Sequence, residues 1–316
     1  MTYSSGGLIQ ATDYNGFVNT TPGANINATW GSGTGDAGWG QASLSSVSAG
    51  GIVTATQWAS LVNTLSAMGS QTGTTITSRT APTTGTTITA LAAVSTDITN
   101  CYNNRGNAAT SGSQYTSGGA STPIAESTNP AGWTMTFTQT LQFNDANSAR
   151  YFWNAGGRAQ LTMSKTGTST DKDPDWNTFV ASVGTINFVG RVAGAAQTIS
   201  GTSYSGTSCS GGSGSPTIAT TTGWYTLTPG AAATQIFLIY EPTSPYTGDY
   251  IQVYAQVNSG STAITFTTYW RDAGYSAAGQ DNSVSAGGAV ALSYYPPSTT
   301  YLTNSWGTPT LGSNVT

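Results

Sequence analysis

Protein chemistry needs groups that carry protons, attack electrophiles or hold metals, and this chain of 316 residues has few of them. Histidine is absent, which removes Ser-His-Asp and Cys-His catalysis and histidine ligation of zinc. The two cysteines, Cys101 and Cys209, are far apart and read as reduced thiols. No Walker-type GxxxxGK[ST] run occurs, and the glycine-rich stretch Gly31–Gly35 has no lysine near it to hold a phosphate. Carboxylates remain: Asp13, Asp36, Asp97, Glu126, Asp145, Asp171, Asp173, Asp175, Glu241, Asp249, Asp272 and Asp281. Two of them in a groove could hydrolyse a glycoside, but no spacing singles out a pair. Asp171-Lys172-Asp173-Pro174-Asp175 has acids at alternate positions, as a calcium loop begins. Trp176 then stands where the sharp turn needs glycine, and Ser182 where the bidentate glutamate belongs. The same residues read better as a helix start, with Asp173 as cap, Pro174 in the first turn and Asp175 at the positive end of the dipole. The sequence therefore predicts no catalytic residue, no metal site and no cofactor.

The elements that would position any site are legible from pattern. Thr54 and Gln57 form a capping box ahead of Trp58, Leu61, Val62, Leu65 and Met68, an amphipathic helix expected to end at Gly69. Shorter helices are expected over Asp13–Asn19 and Thr89–Asn103, with a glycine-aromatic loop from Trp30 to Gly40. Residues 1–105 thus read as a small α-rich attachment module whose core is Trp30, Trp39, Trp58, Leu61 and Leu65. Residues 106–130 are Gly, Ser, Thr, Ala and Asn with almost nothing apolar, the composition of a linker.

Residues 131–316 read as strands. Period-two alternation marks Trp133–Phe143, Ala159–Met163, Asp249–Val257 and Ile264–Trp270. Further strands are expected at Thr185–Val189, Trp224–Leu227, Thr234–Tyr240 and Val284–Leu292, with one helix after Asp173. The fold class is therefore mainly β, with a C-terminal antiparallel, jelly-roll-like sandwich. No fixed-period repeat supports a solenoid. Tyr250, Tyr254, Tyr269 and Tyr275, with Trp270 and Arg271, are the candidate surface. Three readings stay open for them: a subunit contact, a second buried strand face, or a platform on which sugars stack.

Only 6% of residues are charged, against about 25% in an ordinary domain. The net charge of −4, with lysine only at 165 and 172, offers no basic patch for phosphates, so nucleic acid is not an expected partner. The 9 Trp, 16 Tyr and 8 Phe are nonetheless enough to build a core. So little charge gives weak protection against self-association, as suits a subunit packed against copies of itself. The N-terminus carries neither a basic nor an apolar segment of an export signal, and no apolar run approaches the ~20 residues of a membrane span.

Several stretches resemble virion structural proteins of tailed phages, notably contractile-tailed cyanophages: Asp13–Asn15, Gly33–Gln41, Ile52–Leu61, Asn147–Leu161, Gly248–Val253 and Ile264–Phe266. The resemblance implies a place in the virion, of the tail-fibre or adhesin type, with capsid decoration, neck protein or carbohydrate-degrading tailspike as alternatives. It implies a homo-oligomer, a trimer by fibre habit, alongside other virion proteins. Host-surface glycan or protein contacts multiplied by valency are expected with it, while the missing export signal and membrane span fit assembly in the host cytoplasm without membrane insertion.

Overall fold

The computed structural model describes residues 10–20, 25–85, 93–116, 120–122, 132–168, 172–192, 194–275, 284–285 and 287–316. In chain order the helices are α1 (Ala11–Asn15), running into a π turn over Gly16–Thr20, α2 (Ile26–Thr29), α3 (Ala55–Thr72), α4 (Val94–Asn103), α5 (Ala146–Asn154) and α6 (Asp173–Val183). The strands are β1 (Tyr115–Thr116), β2 (Ala120–Thr122), β3 (Trp133–Gln142), β4 (Arg158–Lys165), β5 (Thr185–Val189), β6 (Gln197–Ile199) and β7 (Thr202–Tyr204). They continue with β8 (Thr207–Ser210), β9 (Thr217–Ile218), β10 (Thr234–Tyr240), β11 (Tyr250–Val257), β12 (Ala263–Asp272), β13 (Gly288–Tyr295) and β14 (Thr310–Val315).

Most strands fall into two antiparallel sheets. The first runs β1-β13-β4-β5-β8, with β2 also on β13; the second runs β14-β3-β12-β11-β10-β9; β6 and β7 form a separate hairpin. The period-two pattern decides what lies between the sheets. Phe137, Leu141, Ile251, Val253, Ile264, Phe266 and Trp270 come from the second sheet, and Leu161, Ile186, Phe188, Val290 and Leu292 from the first, into one buried cluster. Phe188 meets Phe266 edge-on at 5.3 Å, and the buried Gln139 amide donates to the Val290 carbonyl at 2.7 Å, so the two layers touch directly. Neither sheet closes into a barrel. The protein is mainly β, an antiparallel sandwich with a few N-terminal helices.

Helix α3 begins as its capping box dictates: Thr54 Oγ1 accepts from Gln57 N and Gln57 Oε1 from Thr54 N. It runs past Gly69, however, and ends at Gly73, which has the left-handed φ of 64°. Gly69 answers a packing need instead, since a Cβ there would stand 3.1 Å from Ile76. Of the helix expected over Thr89–Asn103, the structure shows Val94–Asn103; residues 86–92 lie outside the described residues. The expected strand at Trp224–Leu227 is one turn of 3-10 helix, with the Trp224 ring stacked on Trp153 at 5.5 Å. Four residues carry too little period to separate the two.

The helical residues do not stand apart from the sandwich. Trp39 donates its indole N–H to the carbonyls of Arg105 and Asn154, both at 3.2 Å, and Gln41 bonds Thr303. Asp36 is held by Arg105 and Arg191, each at 2.9 Å. Nor is the described part of 106–130 a free linker. Ala108 bridges to Ile199, Tyr115 and Thr116 pair with Tyr294 and Ser293, and Ala120–Thr122 pair with β13. Small polar residues suit a short edge strand as well as a linker, and backbone pairing leaves no compositional trace.

Candidate contact surface

The outer face of the second sheet is set by the same alternation that fills the core. With Phe137, Leu141, Ile264, Phe266 and the alanine and valines of β11 pointing inward, the opposite positions turn outward. These are Thr134, Thr136, Thr138 and Thr140 on β3, Thr265, Thr267, Tyr269 and Arg271 on β12, and Tyr250, Gln252, Tyr254 and Gln256 on β11. The register aligns them into rows: Thr134 with Arg271 and Tyr250, Thr136 with Tyr269 and Gln252, Thr138 with Thr267 and Tyr254, Thr140 with Thr265 and Gln256. Tyr240 extends the first row at 54% exposed and meets Tyr250 edge-on at 5.8 Å. Tyr254 and Tyr269 meet edge-on at 5.9 Å. The hydroxyl groups are partly engaged: Arg271 donates to Thr134 Oγ1 at 2.8 Å, and the Tyr254 hydroxyl to Gln235 at 3.3 Å. Among the described residues Arg271 is the one formal charge on these four rows.

Of the six sequence-predicted surface residues, the fold thus gathers Tyr250, Tyr254, Tyr269 and Arg271. Trp270 is corrected to the core: it is fully buried, 4.9 Å from Phe137 and 6.2 Å from Trp176, because adjacent strand positions face opposite sides. Tyr275 follows the end of β12 and packs against Tyr246 at 6.2 Å, off the strand rows. Of the predicted helical core, Trp58, Leu61 and Leu65 are buried on α3, Trp39 is buried against α5, and Trp30 packs half-buried edge-on to Trp39 at 6.4 Å.

The fold also assembles a charge cluster that the sequence did not reveal. Both lysines of the chain are buried where β4, β10, β11, β12 and α6 end or begin. Lys165 and Asp173, each with a wholly buried side chain, pair at 2.9 Å, and Asp173 also accepts from Ser285 N and Oγ. This corrects the expectation that Asp173 caps α6: the N-cap position is Lys172, with no side-chain cap bond, and Asp173 turns inward instead. Lys172 pairs with Asp272, lies 3.8 Å from Asp249, and stands 4.9 Å over the Tyr246 ring. Burial pushes the Asp249 carboxyl up to about 6, with Asp272 and Glu241 adding to the rise and the Ala273 N–H and Lys172 opposing it. Glu241 takes one hydrogen bond from Thr243 N, while its other oxygen is buried without a partner among the described residues. The cavity lined by Lys172, Asp175, Trp176, Glu241 and Asp249 has no water-sized space. Asp249 thus feels two other carboxylates, Asp272 and Glu241, beside the buried Lys172.

Glu126, Asp171 and Asp281 lie outside the described residues. Among the described residues no three His, Cys, Asp or Glu are grouped to hold a metal, and no helix is long and apolar enough to cross a membrane. Cys101 and Cys209 are both free thiols, and burial raises Cys101 to about 11. No protein-family model matches the chain, and no curated protein or solved structure matches it either.

Proposed function

We propose that this chain is a non-enzymatic structural subunit of a tailed-phage virion, of the tail-fibre or adhesin type. In this reading the outer face of the second sheet packs against further copies of the chain. The observation that carries it is the row pattern itself: a continuous field of threonine, tyrosine and glutamine with one charge, on the second sheet. Such a face is inexpensive to dehydrate, because no lysine or glutamate must be stripped of water. Tyrosine, enriched at interfaces, supplies large contact area with a polar tip. The charges that would keep copies apart are few, and both lysines are spent inside the fold. The resemblance of Asp13–Asn15, Gly33–Gln41 and Asn147–Leu161 to phage virion proteins supports the particle, and fibre habit supports the trimer. Light scattering on the purified chain tests the reading: a stable trimer is expected. A monomer at all attainable concentrations would refute self-assembly through this face.

A further inference from the structure

A second feature lies at the edge of the first sheet, where β1 and β13 meet the segment 296–309. A cavity of about 200 Å³ opens there, lined by Tyr115, Tyr294, Pro297 and Trp306, among others. Tyr115 stacks on Tyr294 at 5.1 Å with 12° between the rings, and it is itself 49% exposed. Trp306 is only 2% exposed, yet its indole N–H makes no hydrogen bond to the described residues. The exposed side chains of Thr299, Asn304 and Thr308 line the same cavity, and none of them hydrogen-bonds within the described chain. Among the described residues none that lines it carries a formal charge at neutral pH.

We infer that this cavity binds a single neutral sugar ring. The cavity opens to solvent, and the aromatic and polar groups that line it span the width of one sugar ring. The electron-rich face of an aromatic ring favours the weakly positive C–H face of a sugar. The unengaged hydroxyls, the Asn304 amide and the Trp306 indole N–H provide hydrogen-bond partners for its hydroxyl groups. A uronic acid, sialic acid or phosphate would lose its hydration and find no counter-charge. The inference stands on the first sheet and does not depend on the virion reading or on the tyrosine rows of the second.

Saturation-transfer NMR on the full chain decides it. The probes are methyl α-glucopyranoside, methyl β-galactopyranoside and N-acetylglucosamine, with glucuronate and a proline oligopeptide as competitors in class. At least one neutral sugar should bind in the millimolar range, and glucuronate should not. Tyr115→Ala should weaken that binding about tenfold and Asn304→Ala by a smaller factor, while Ser66→Ala, exposed on α3, leaves it unchanged. Asn304 is exposed, so its variant decides the matter should Tyr115→Ala fail to fold. The proposal is overturned by absence of neutral-sugar binding, by binding insensitive to both variants, by loss with Ser66→Ala, or by the proline peptide binding in place of the sugars.

Discussion

Asp249 shows how much one residue in this chain depends on its surroundings. It is 3% exposed and its carboxyl is raised to about 6, with burial as the main cause. A carboxyl whose pKa is higher folded than unfolded binds its proton more tightly in the native state. Its contribution to stability is therefore unfavourable above about pH 6 and is relieved as pH falls through 6 toward the unfolded value near 4. Denaturant unfolding of the wild type should gain on the order of 2 kcal/mol from this group between pH 7.5 and 4.5. Asp249→Asn can keep an oxygen to accept the Ala273 N–H, and it should remove that gain. Equal pH slopes for the two proteins would show that Asp249 ionises normally. The neighbouring pair behaves oppositely on mutation. Asp173→Asn leaves Lys165 buried without its counter-charge, and a loss of about 3–5 kcal/mol is expected; a loss under 1 kcal/mol would mean the lysine finds water. None of this cluster was visible in the sequence. Lys165, Asp173, Glu241, Asp249 and Asp272 are spread over more than a hundred positions, and only the meeting of strand ends brings them together. In retrospect the one available signal was scarcity: both lysines sit within eight residues, beside or within an apolar strand and a helix start.

At the scale of elements, legibility followed the strength of local signals. Helix α3 was readable because its cap, its apolar stripe and a terminal glycine agree, though the stop lies at Gly73 and not Gly69. The alternation of β3, β11 and β12 gave both the strands and their faces, and hence the tyrosine rows. Helix α5 was missed, although Asp145 accepts from Ser148 N at 2.7 Å as its cap and Ala149, Phe152 and Trp153 form its buried stripe. Nine residues between two strands offer only about two and a half turns of period, and the polar ones dilute it. Strand β14 was missed because Leu311 and Val315 are its only apolar residues and both its faces are largely exposed. The two ends of α3 provide a paired test by thermal and denaturant unfolding. Thr54→Ala removes the cap acceptor for Gln57 N and should lower stability by about 1 kcal/mol. Gly73→Ala meets no atom within 4 Å, so its expected loss of about 1–2 kcal/mol is purely the strain of a left-handed alanine. No change for Gly73→Ala would mean that the helix simply ends earlier.

For the whole molecule the question is why so uncharged a protein is built with such different outer faces. The second sheet presents Tyr/Thr/Gln rows, whereas Asn187 on the outer side of the first sheet is buried and bonds Gln160, and Arg158 lies between the rings of Tyr204, on the β6–β7 hairpin, and Tyr295. Part of that side is therefore covered from within the chain, while the rows on β3, β12 and β11 remain half-exposed with nothing described above them. If copies meet through the rows, a charge at their centre must be dehydrated or repelled at each contact. Thr267 occupies that centre, paired to Thr138 on one side and Tyr254 on the other. Thr267→Arg should change the stability of the isolated fold by no more than about 0.5 kcal/mol, as an outward substitution on a half-exposed position does. It should nevertheless convert the expected trimer to monomer in light scattering. Thr162→Arg, exposed on the outer side of the first sheet, is the matched control and should leave the trimer intact. A Thr267→Arg trimer, or dissociation by Thr162→Arg alone, would move the subunit contact off the second sheet and leave the tyrosine rows to some other partner.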